Sequence, residues 1–214
     1  LIETESGRGF FRMPEPDAGD IFFDIEGDPL YPGQLEYLFG CLYREGGQDK
    51  FLPFWAHDHA SEKEAVVQLL RFFTEHLLKY PKAHIYHYAA YEVSALKRLT
   101  AKYAAAEFQL DQLLRGKRFV DLYKVVREGL RTSEPNYSIK SIEKFYMPER
   151  GAAIAAGVDS IVAYERYRHT GEQAELDSIW EYNQDDLRST FCCRFDRSLL
   201  RGSLARTPLL IKKS

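Results

Sequence analysis

Cysteine is scarce in this sequence, which contains only Cys41, Cys192 and Cys193. These three form no paired framework, the adjacent Cys192 and Cys193 are poorly placed to bridge each other, and no C-x-x-C spacing is available for a metal. We therefore expect no disulfide framework and no cysteine metal site. Reduced thiols of this kind predict a cytoplasmic protein.

Long apolar runs are missing as well. No stretch approaches the roughly 20 residues that span a bilayer, and no signal-peptide pattern is found, so we expect no membrane partner.

Neither sign of charge is in large excess, with 29 Lys and Arg against 32 Asp and Glu and a net charge of -3. This balance argues against a protein that coats nucleic acid with a basic surface, but it permits local basic patches around an acidic site.

The sequence does contain a regular succession of predicted elements. Three strands come first and are followed by a helix, a short strand and then further helices, which is typical of an α/β sandwich with a mixed sheet. Ser61 and, three residues later, Glu64 indicate a capping box at the start of the first helix. The predicted strands are residues 20–26, 35–43, 50–55 and 83–88. The predicted helices begin at residue 61 and continue with residues 91–103, 108–114, 121–130, 138–146, 158–169 and 172–200.

The segments that lack such periodicity suggest the domain boundaries. Residues 1–18 mix Gly, Pro and acids and are predicted to be a linker or arm, the folded domain is expected to cover residues 19–201, and residues 202–214 read as a short basic tail. Residues 147–157 are rich in Ala and Gly and are predicted to be a loop. Because the chain begins at Leu1 without a Met, we expect a domain cut from a larger multidomain protein.

The first strand carries two acids inside an otherwise apolar run. Alternate side chains of a strand point to one face, so Asp24 and Glu26 share a face while Phe23 and Ile25 take the other. Two neighbouring carboxylates that lose water must raise a pKa or have a cation between them. A divalent metal is the simplest such cation. The alternatives are a solvated strand at the sheet edge, or pairing with Lys or Arg.

The last helix carries a second acidic group. Tyr182 and Asp186 are four residues apart and share one helical face, with Asp185 beside them. Apolar neighbours such as Ile179 and Leu187 indicate that this helix packs against the sheet. A Tyr hydroxyl one turn from a metal-binding Asp could orient or deprotonate a water molecule. The alternative is a solvated helix face with scattered acids.

A third group of polar residues follows the fourth predicted strand. His87, Tyr91 and Glu92 lie where this strand passes into a helix, beside the carboxyl end of the strand, where open α/β sheets place their sites. The helix dipole could equally favour Glu92, and His87 could be a hydrogen-bonded core or rim residue. Asp121, in another apolar setting, is a reserve metal ligand or the N-cap of the helix that follows it.

These groups, in this order and separation, resemble the three exonuclease motifs of the ribonuclease-H-like DEDD superfamily, in its Tyr-containing subclass. The matching residues are Asp24-x-Glu26, His87-x3-Tyr91-Glu92 and Tyr182-x3-Asp186. Residues 137–146 look like the Ser-Leu-Lys-Ser-Leu helix found between the second and third motifs there. More narrowly, residues 22–29 with 182–186 are similar to the ribonuclease-H-like domain of RecB-like nuclease proteins. The second motif departs from the family, which has Asn and Asp where this chain has His87 and Glu92.

The resemblance implies an α/β ribonuclease-H-like fold whose mixed central sheet begins with three antiparallel strands, adds parallel ones and is flanked by helices. It also implies phosphodiester hydrolysis with two Mg or Mn ions. Asp24 would bridge both ions, Glu26 and Asp186 would complete the first site, and Glu92 would serve the second. Tyr182 would position the attacking water.

The expected substrate is single-stranded DNA or a DNA end, cut from 3′ to 5′, and the expected partners are RecB-like nuclease and helicase domains of the same chain. Substrate contacts are assigned to His87, Tyr91, Lys140, Asp121 and Asp185. The departures in the second motif motivate a second hypothesis, in which a degenerate domain binds nucleic acid or a partner without cutting. A third hypothesis is a structure-specific endonuclease of the same fold.

Overall fold

Five strands form one sheet in the computed structural model, which describes residues 7–148 and 157–195. They are β1 (Ile21–Asp28), β2 (Leu35–Glu45), β3 (Gln48–Trp55), β4 (Ile85–His87) and β5 (Phe119–Asp121). In this part of the chain their order is β3-β2-β1-β4-β5, so that β1 is central. The first three pair antiparallel, and β4 and β5 are added in parallel. The predicted mixed sheet is confirmed.

The β2–β3 hairpin turns at Gly46 and Gly47. These residues have φ angles of 59° and 79°, a left-handed conformation that glycine adopts without steric cost. In the neighbouring pair, the antiparallel register sets Asp24 of β1 opposite Gly40 of β2 and shifts by one position between Glu26 and Gly27. The irregularity lies directly after the two acids of β1.

Strand β5 was not predicted, because the sequence places residues 118–121 between two short helices. The strand is only three residues long, which is too short to show an alternating pattern. Val120 is buried, and Asp121 ends the strand by capping the next helix, where its side chain accepts a hydrogen bond from the backbone N–H of Lys124. A strand of this length depends on its partner β4 for its conformation.

Seven α-helices are found among the described residues, and they flank the sheet. They are α1 (His59–Lys79), α2 (Tyr91–Tyr103), α3 (Glu107–Arg115), α4 (Leu122–Gly129), α5 (Ile139–Ile142), α6 (Gly157–Thr170) and α7 (Gln173–Phe195). Helix α5 is shorter than predicted and passes into a 3-10 turn over Glu143–Phe145. The predicted loop 147–157 in its larger part, the end of the last helix and the tail 202–214 lie outside the described residues.

Helix α1 begins before the predicted capping box. Asp58 is the N-cap and accepts a hydrogen bond from the backbone N–H of Ser61 at 2.7 Å, while the Ser61 hydroxyl oxygen accepts one from the Asp58 N–H at 3.1 Å. Ser61 is therefore the third residue of the helix rather than its cap. Glu64, predicted to close the box, instead accepts a hydrogen bond from Gln68 one turn later. The prediction was wrong by one turn because Asp58 is an equally good cap.

The sheet divides the core into two layers. Ile21, Phe23 and Ile25 of β1 pack with α1, α2 and α3 on one face, each contributing roughly 1.5–3 kcal/mol by leaving water. Phe22, from the alternate position, packs on the other face with residues of α4 and α7. Asp24 and Glu26 share the face of Phe22, which is the face that α7 covers. The predicted side-chain alternation of β1 is therefore observed.

The far end of α7 is tied to the start of β1. Arg194 pairs with the Asp20 carboxylate and also donates a hydrogen bond to the Tyr86 hydroxyl at 3.1 Å, and all three side chains are buried. Truncating one partner of such a pair leaves an uncompensated buried charge. This link fixes the helix along the sheet.

At the N-terminal end, Gly9–Arg12 form a 3-10 turn that rests on α4. Glu128 of α4 accepts hydrogen bonds from the Gly9 N–H and from Arg12.

In the described parts of the chain, no helix has the length and apolar character needed to cross a membrane.

Candidate metal centre

Strand β1 and helix α7 bring three carboxylates together. Asp24 and Glu26 extend from β1 toward α7, and Asp186 meets them from the helix. One oxygen atom of each residue lies within 4.8 Å of the others. Residues about 160 positions apart in the sequence thus form one acidic cluster.

Burial and mutual repulsion raise the pKa values of Asp24 and Glu26 in this cluster. Burial, together with the neighbouring Asp186 carboxylate, raises the pKa of Glu26 to about 8. The pKa of Asp24 is raised well above its usual range, first by burial and then by Glu26 and Asp186. Charges that lack water and repel one another cannot all persist near neutral pH unless a cation lies among them.

The donor set fits a divalent cation such as Mg or Mn. These ions prefer hard oxygen ligands, and carboxylate oxygens are all that the three residues offer. Glu26 is only 7% exposed, so bulk water cannot offset the repulsion. A bound cation would offset it.

Asn183, which the sequence reasoning missed, connects two of the acids. Its side-chain Nδ2 donates a hydrogen bond to Asp24 Oδ2 at 2.8 Å, and a further hydrogen bond reaches Glu26 and lowers the pKa of that carboxyl in part. Asn183 is fully buried. The available signal was an amide located inside the third motif, one turn before Asp186 on the same helix.

Gly40 of β2 leaves the space that Asn183 occupies. A Cβ atom at this position would lie 1.8 Å from Asn183 Oδ1, far inside van der Waals contact. Since Gly40 is also the residue opposite Asp24 in the sheet register, the glycine lets α7 approach the strands where the acids are.

Ser160 of α6 is a second residue that the sequence reasoning missed. Its Oγ lies 2.9 Å from Glu26 Oε2 and donates a hydrogen bond to it. The residue is fully buried in the first turn of the helix. A single serine in a helix gives no sequence signal, because the contact joins residues 134 positions apart.

Tyr182 and Lys140 meet beside the carboxylates. Lys140 Nζ donates a hydrogen bond to the Tyr182 hydroxyl at 2.8 Å and lies 4.5 Å from the centroid of its ring. Burial first, and then Asp186, Glu26 and Asp24, raise the pKa of Tyr182. In the metal-free chain the hydroxyl therefore keeps its proton and is a hydrogen-bond donor rather than a base.

Glu92 lies apart from the group of three, in a pair with His87. Its Oε2 is 3.4 Å from His87 Nδ1, and that nitrogen donates to the Ala89 carbonyl oxygen at 2.6 Å. Both side chains are buried. Burial raises the pKa of Glu92, His87 opposes the shift, and Glu92 in turn helps to raise the pKa of Asp24. Glu92 is thus near enough to act on Asp24 electrostatically.

The remaining predicted site residues have their own partners. Asp121 caps α4, the alternative left open by the sequence, and also accepts a hydrogen bond from the Ala89 N–H at 3.1 Å. The half-exposed Tyr91 donates its hydroxyl to the Glu36 carboxylate at 2.9 Å. Asp185 pairs with Arg188 on the outer side of α7 at 3.1 Å.

A central mixed sheet, flanking helices and an acidic cluster at the central strand together define a nuclease-type α/β fold. Comparison with protein families supports this assignment, since residues 21–193 match the model of the RNase H superfamily. The chain belongs to this superfamily, which implies a nucleic-acid substrate and divalent metals. No curated protein and no solved structure matches the chain.

Proposed function

We propose that this domain is a metal-dependent nuclease that hydrolyses phosphodiester bonds, acting as a 3′ to 5′ exonuclease on single-stranded DNA or DNA ends. The observation that carries the proposal is the close approach of Asp24, Glu26 and Asp186, with Tyr182 beside them. Within the described residues these groups offer metal ligands and a water-orienting hydroxyl. That combination suits metal-assisted hydrolysis better than covalent catalysis.

The carboxylates have distinct proposed roles. Asp24, Glu26 and Asp186 would hold one Mg or Mn ion, and Asp24 with Glu92 would hold a second. Ions bound there would supply Lewis-acid stabilisation of the charge that develops during an in-line displacement at phosphorus. Tyr182 keeps its proton and orients the attacking water, while Lys140 holds the Tyr182 hydroxyl and adds positive charge.

The substrate strand is proposed to run past the start of α2. Tyr91 is half exposed there and lines a pocket of about 260 Å³ together with Pro29, Leu35 and Arg98. An aromatic ring beside such a pocket is suited to stacking on an unpaired base. His87, Asp121 and Asp185 remain proposed substrate contacts of a weaker kind, since each has a protein partner.

The subclass and subfamily of the nuclease are proposed from the sequence motifs alone. The Tyr182-x3-Asp186 pair favours the Tyr-containing subclass of the DEDD exonucleases. The stretch 22–29 favours the ribonuclease-H-like domain of RecB-like nucleases, with RecB-like nuclease and helicase regions as partners in the same chain. Cys41, Cys192 and Cys193 form no disulfide bond within the described residues, in keeping with the proposed cytoplasmic location.

The test is hydrolysis of an end-labelled single-stranded DNA with Mn or Mg, and with a chelator in place of the metal. We expect metal-dependent shortening from the 3′ end by the native chain and none by Asp24→Ala or Asp186→Asn. Asp177→Asn is the matched control, since this exposed acid of α7 accepts a hydrogen bond from Gln173 and has no proposed role in the site. Native activity in Asp186→Asn would refute the proposed centre.

A non-catalytic domain that binds nucleic acid or a partner is the second candidate, and the pairing of Glu92 with His87 favours it. On this alternative the native chain binds single-stranded DNA without cutting it, and the double substitution His87→Asn with Glu92→Asp creates activity. A circular single-stranded substrate tests the third candidate, because an endonuclease cuts it and an exonuclease needs an end.

A further inference from the structure

Ser160 and Tyr37 form a buried pair behind Glu26. Ser160 lies in the first turn of α6 and Tyr37 in β2, and their hydroxyl oxygens are 3.0 Å apart. Ser160 Oγ is also 2.9 Å from Glu26 Oε2. Both residues have no exposed surface. Glu26 is therefore connected by hydroxyl groups to two elements that supply none of the three clustered carboxylates.

The donors available set the direction of these bonds. A hydroxyl carries one proton and can accept two hydrogen bonds. Tyr37 donates to Ser160, which leaves the Ser160 proton for Glu26 or for the Gly157 carbonyl oxygen, also 2.9 Å away. When a metal is bound, Glu26 is ionised and is the stronger acceptor of the two, so the Ser160 proton goes to Glu26.

Packing fixes Tyr37 from its other side. Its ring stacks on that of Tyr164, with the ring centroids 3.9 Å apart and the planes within 11°. Tyr164 lies one turn after Ser160 on α6, and its hydroxyl donates to the Ala56 carbonyl oxygen at 3.2 Å. Helix α6 thus holds Tyr37 by the hydroxyl and by the ring.

We propose that Ser160, supported by Tyr37, is a positioning residue of the metal centre, which holds Glu26 Oε2 and so turns the carboxylate toward Asp24 and Asp186 for metal binding. This inference rests on the proposed function, because it requires a metal at the cluster. A Glu side chain whose last torsion is fixed in advance loses less freedom when the ion binds. Ser160 itself touches neither substrate nor metal.

The chain contains a matched control pair. Ser189 and Tyr146 are also a Ser and a Tyr within hydrogen-bond distance, with their hydroxyl oxygens 3.2 Å apart, and Ser189 is fully buried. The hydrogen-bond partner of the Ser189 hydroxyl is Tyr146, which is not one of the three clustered acids. Ser189→Ala and Tyr146→Phe therefore remove the same chemical groups as Ser160→Ala and Tyr37→Phe, without touching the carboxylate.

The experiment is calorimetric titration of Mn²⁺ into the full chain and these four variants, with no nucleic acid present. Outer-shell hydrogen-bond partners of ligating carboxylates typically change metal affinity by about 10- to 100-fold. We expect that loss for Ser160→Ala, a smaller loss for Tyr37→Phe, and affinity within about twofold of the native chain for the control pair. Adding Tyr37→Phe to Ser160→Ala should weaken binding no further, because Tyr37 acts through Ser160.

The outcomes test the positioning role of Ser160 and the proposed nuclease function separately. If Ser160→Ala binds Mn²⁺ as tightly as Ser189→Ala, the positioning role is overturned while the proposed nuclease stands. If the native chain binds no Mn²⁺, the proposed function fails and the positioning role with it. Should Ser160→Ala not fold, the isosteric comparison of Tyr37→Phe with Tyr146→Phe decides, and equal affinities in that comparison overturn the inference.

Discussion

Asn183 of α7 donates a hydrogen bond to Asp24 of β1 across 2.8 Å, although the two residues are 159 positions apart in the chain. The amide supplies two donors and carries no charge, so it can neutralise part of the repulsion between Asp24 and Glu26 without competing for the metal. The two acids of β1 are thereby held at a fixed spacing by the same helix that delivers Asp186.

Removing this amide should weaken metal binding. Asn183→Ala removes the amide donor that Asp24 and Glu26 share, and we expect about 10- to 100-fold weaker Mn²⁺ binding by calorimetry. Gln184→Ala, the change at the next residue of α7, is the control and should bind Mn²⁺ like the native chain. Native affinity in Asn183→Ala would show that the amide serves packing alone.

The substitution Gly40→Ala in β2 should disturb the acidic cluster, because Gly40 lies opposite Asp24 in the sheet. The new Cβ would lie 1.8 Å from Asn183 Oδ1, so the Asn183 side chain or α7 itself must move away from β2. Overpacking of this kind costs roughly 1–3 kcal/mol, and we expect Gly40→Ala to melt at lower temperature and to bind Mn²⁺ more weakly. Gly157→Ala is the control, because its Cβ would come no closer than 3.9 Å to the Tyr182 hydroxyl. Equal melting temperatures for the two variants would contradict the tight approach described above.

The stability of the metal-free chain should fall as pH rises. The pKa of Glu26 is raised on folding from 4.5 to about 8, so between these values the folded chain binds more protons than the unfolded chain does. The free energy of unfolding then decreases with pH, by at most about 1.4 kcal/mol per pH unit for one group. Glu26→Gln has no proton to lose and should show a flatter dependence. Melting temperatures in chelator from pH 5 to pH 8 test this, and parallel curves for the two proteins would exclude it.

Tyr182→Phe should separate catalysis from metal binding. The hydroxyl keeps its proton and orients water, so its loss should lower kcat by about 10²-fold or more. Mn²⁺ affinity should stay within about twofold, because the three carboxylates are unchanged. Lys140→Met should follow the same pattern in smaller degree, since Lys140 acts on the Tyr182 hydroxyl. Tyr123→Phe, a change outside the cluster, is the control and should leave kcat and Mn²⁺ affinity unchanged. If Tyr182→Phe lowers Mn²⁺ affinity together with kcat, Tyr182 supports the carboxylates instead.

Local periodicity explains what the sequence could predict. The alternation of a strand sets Asp24 and Glu26 on one face whatever surrounds them, and the helical turn sets Tyr182 beside Asp186. Helix α2 has the predicted limits, residues 91–103, because its apolar spacing is continuous. Such features need only near neighbours in the chain.

What the sequence could not predict depends on distant neighbours. Ser160 and Asn183 acquire their importance from residues 134 and 159 positions away, and no local pattern marks them. Strand β5 depends on β4 in the same way. The start of α1 was misjudged for a different reason, since Asp58 and Ser61 are both good caps and only the folded chain selects between them.

The position of α7 at the end of the described chain has a consequence for synthesis on the ribosome. All five strands are complete by Asp121, whereas Asn183 and Asp186 emerge about 60 residues later. A nascent chain can therefore pair its sheet while the two acids of β1 have no helix to cover them. Because contacts of such long sequence separation form late, the cluster of Asp24, Glu26 and Asp186 is complete only after α7 has been synthesised. Incomplete chains released before that point would lack Asp186, and with it the complete acidic cluster.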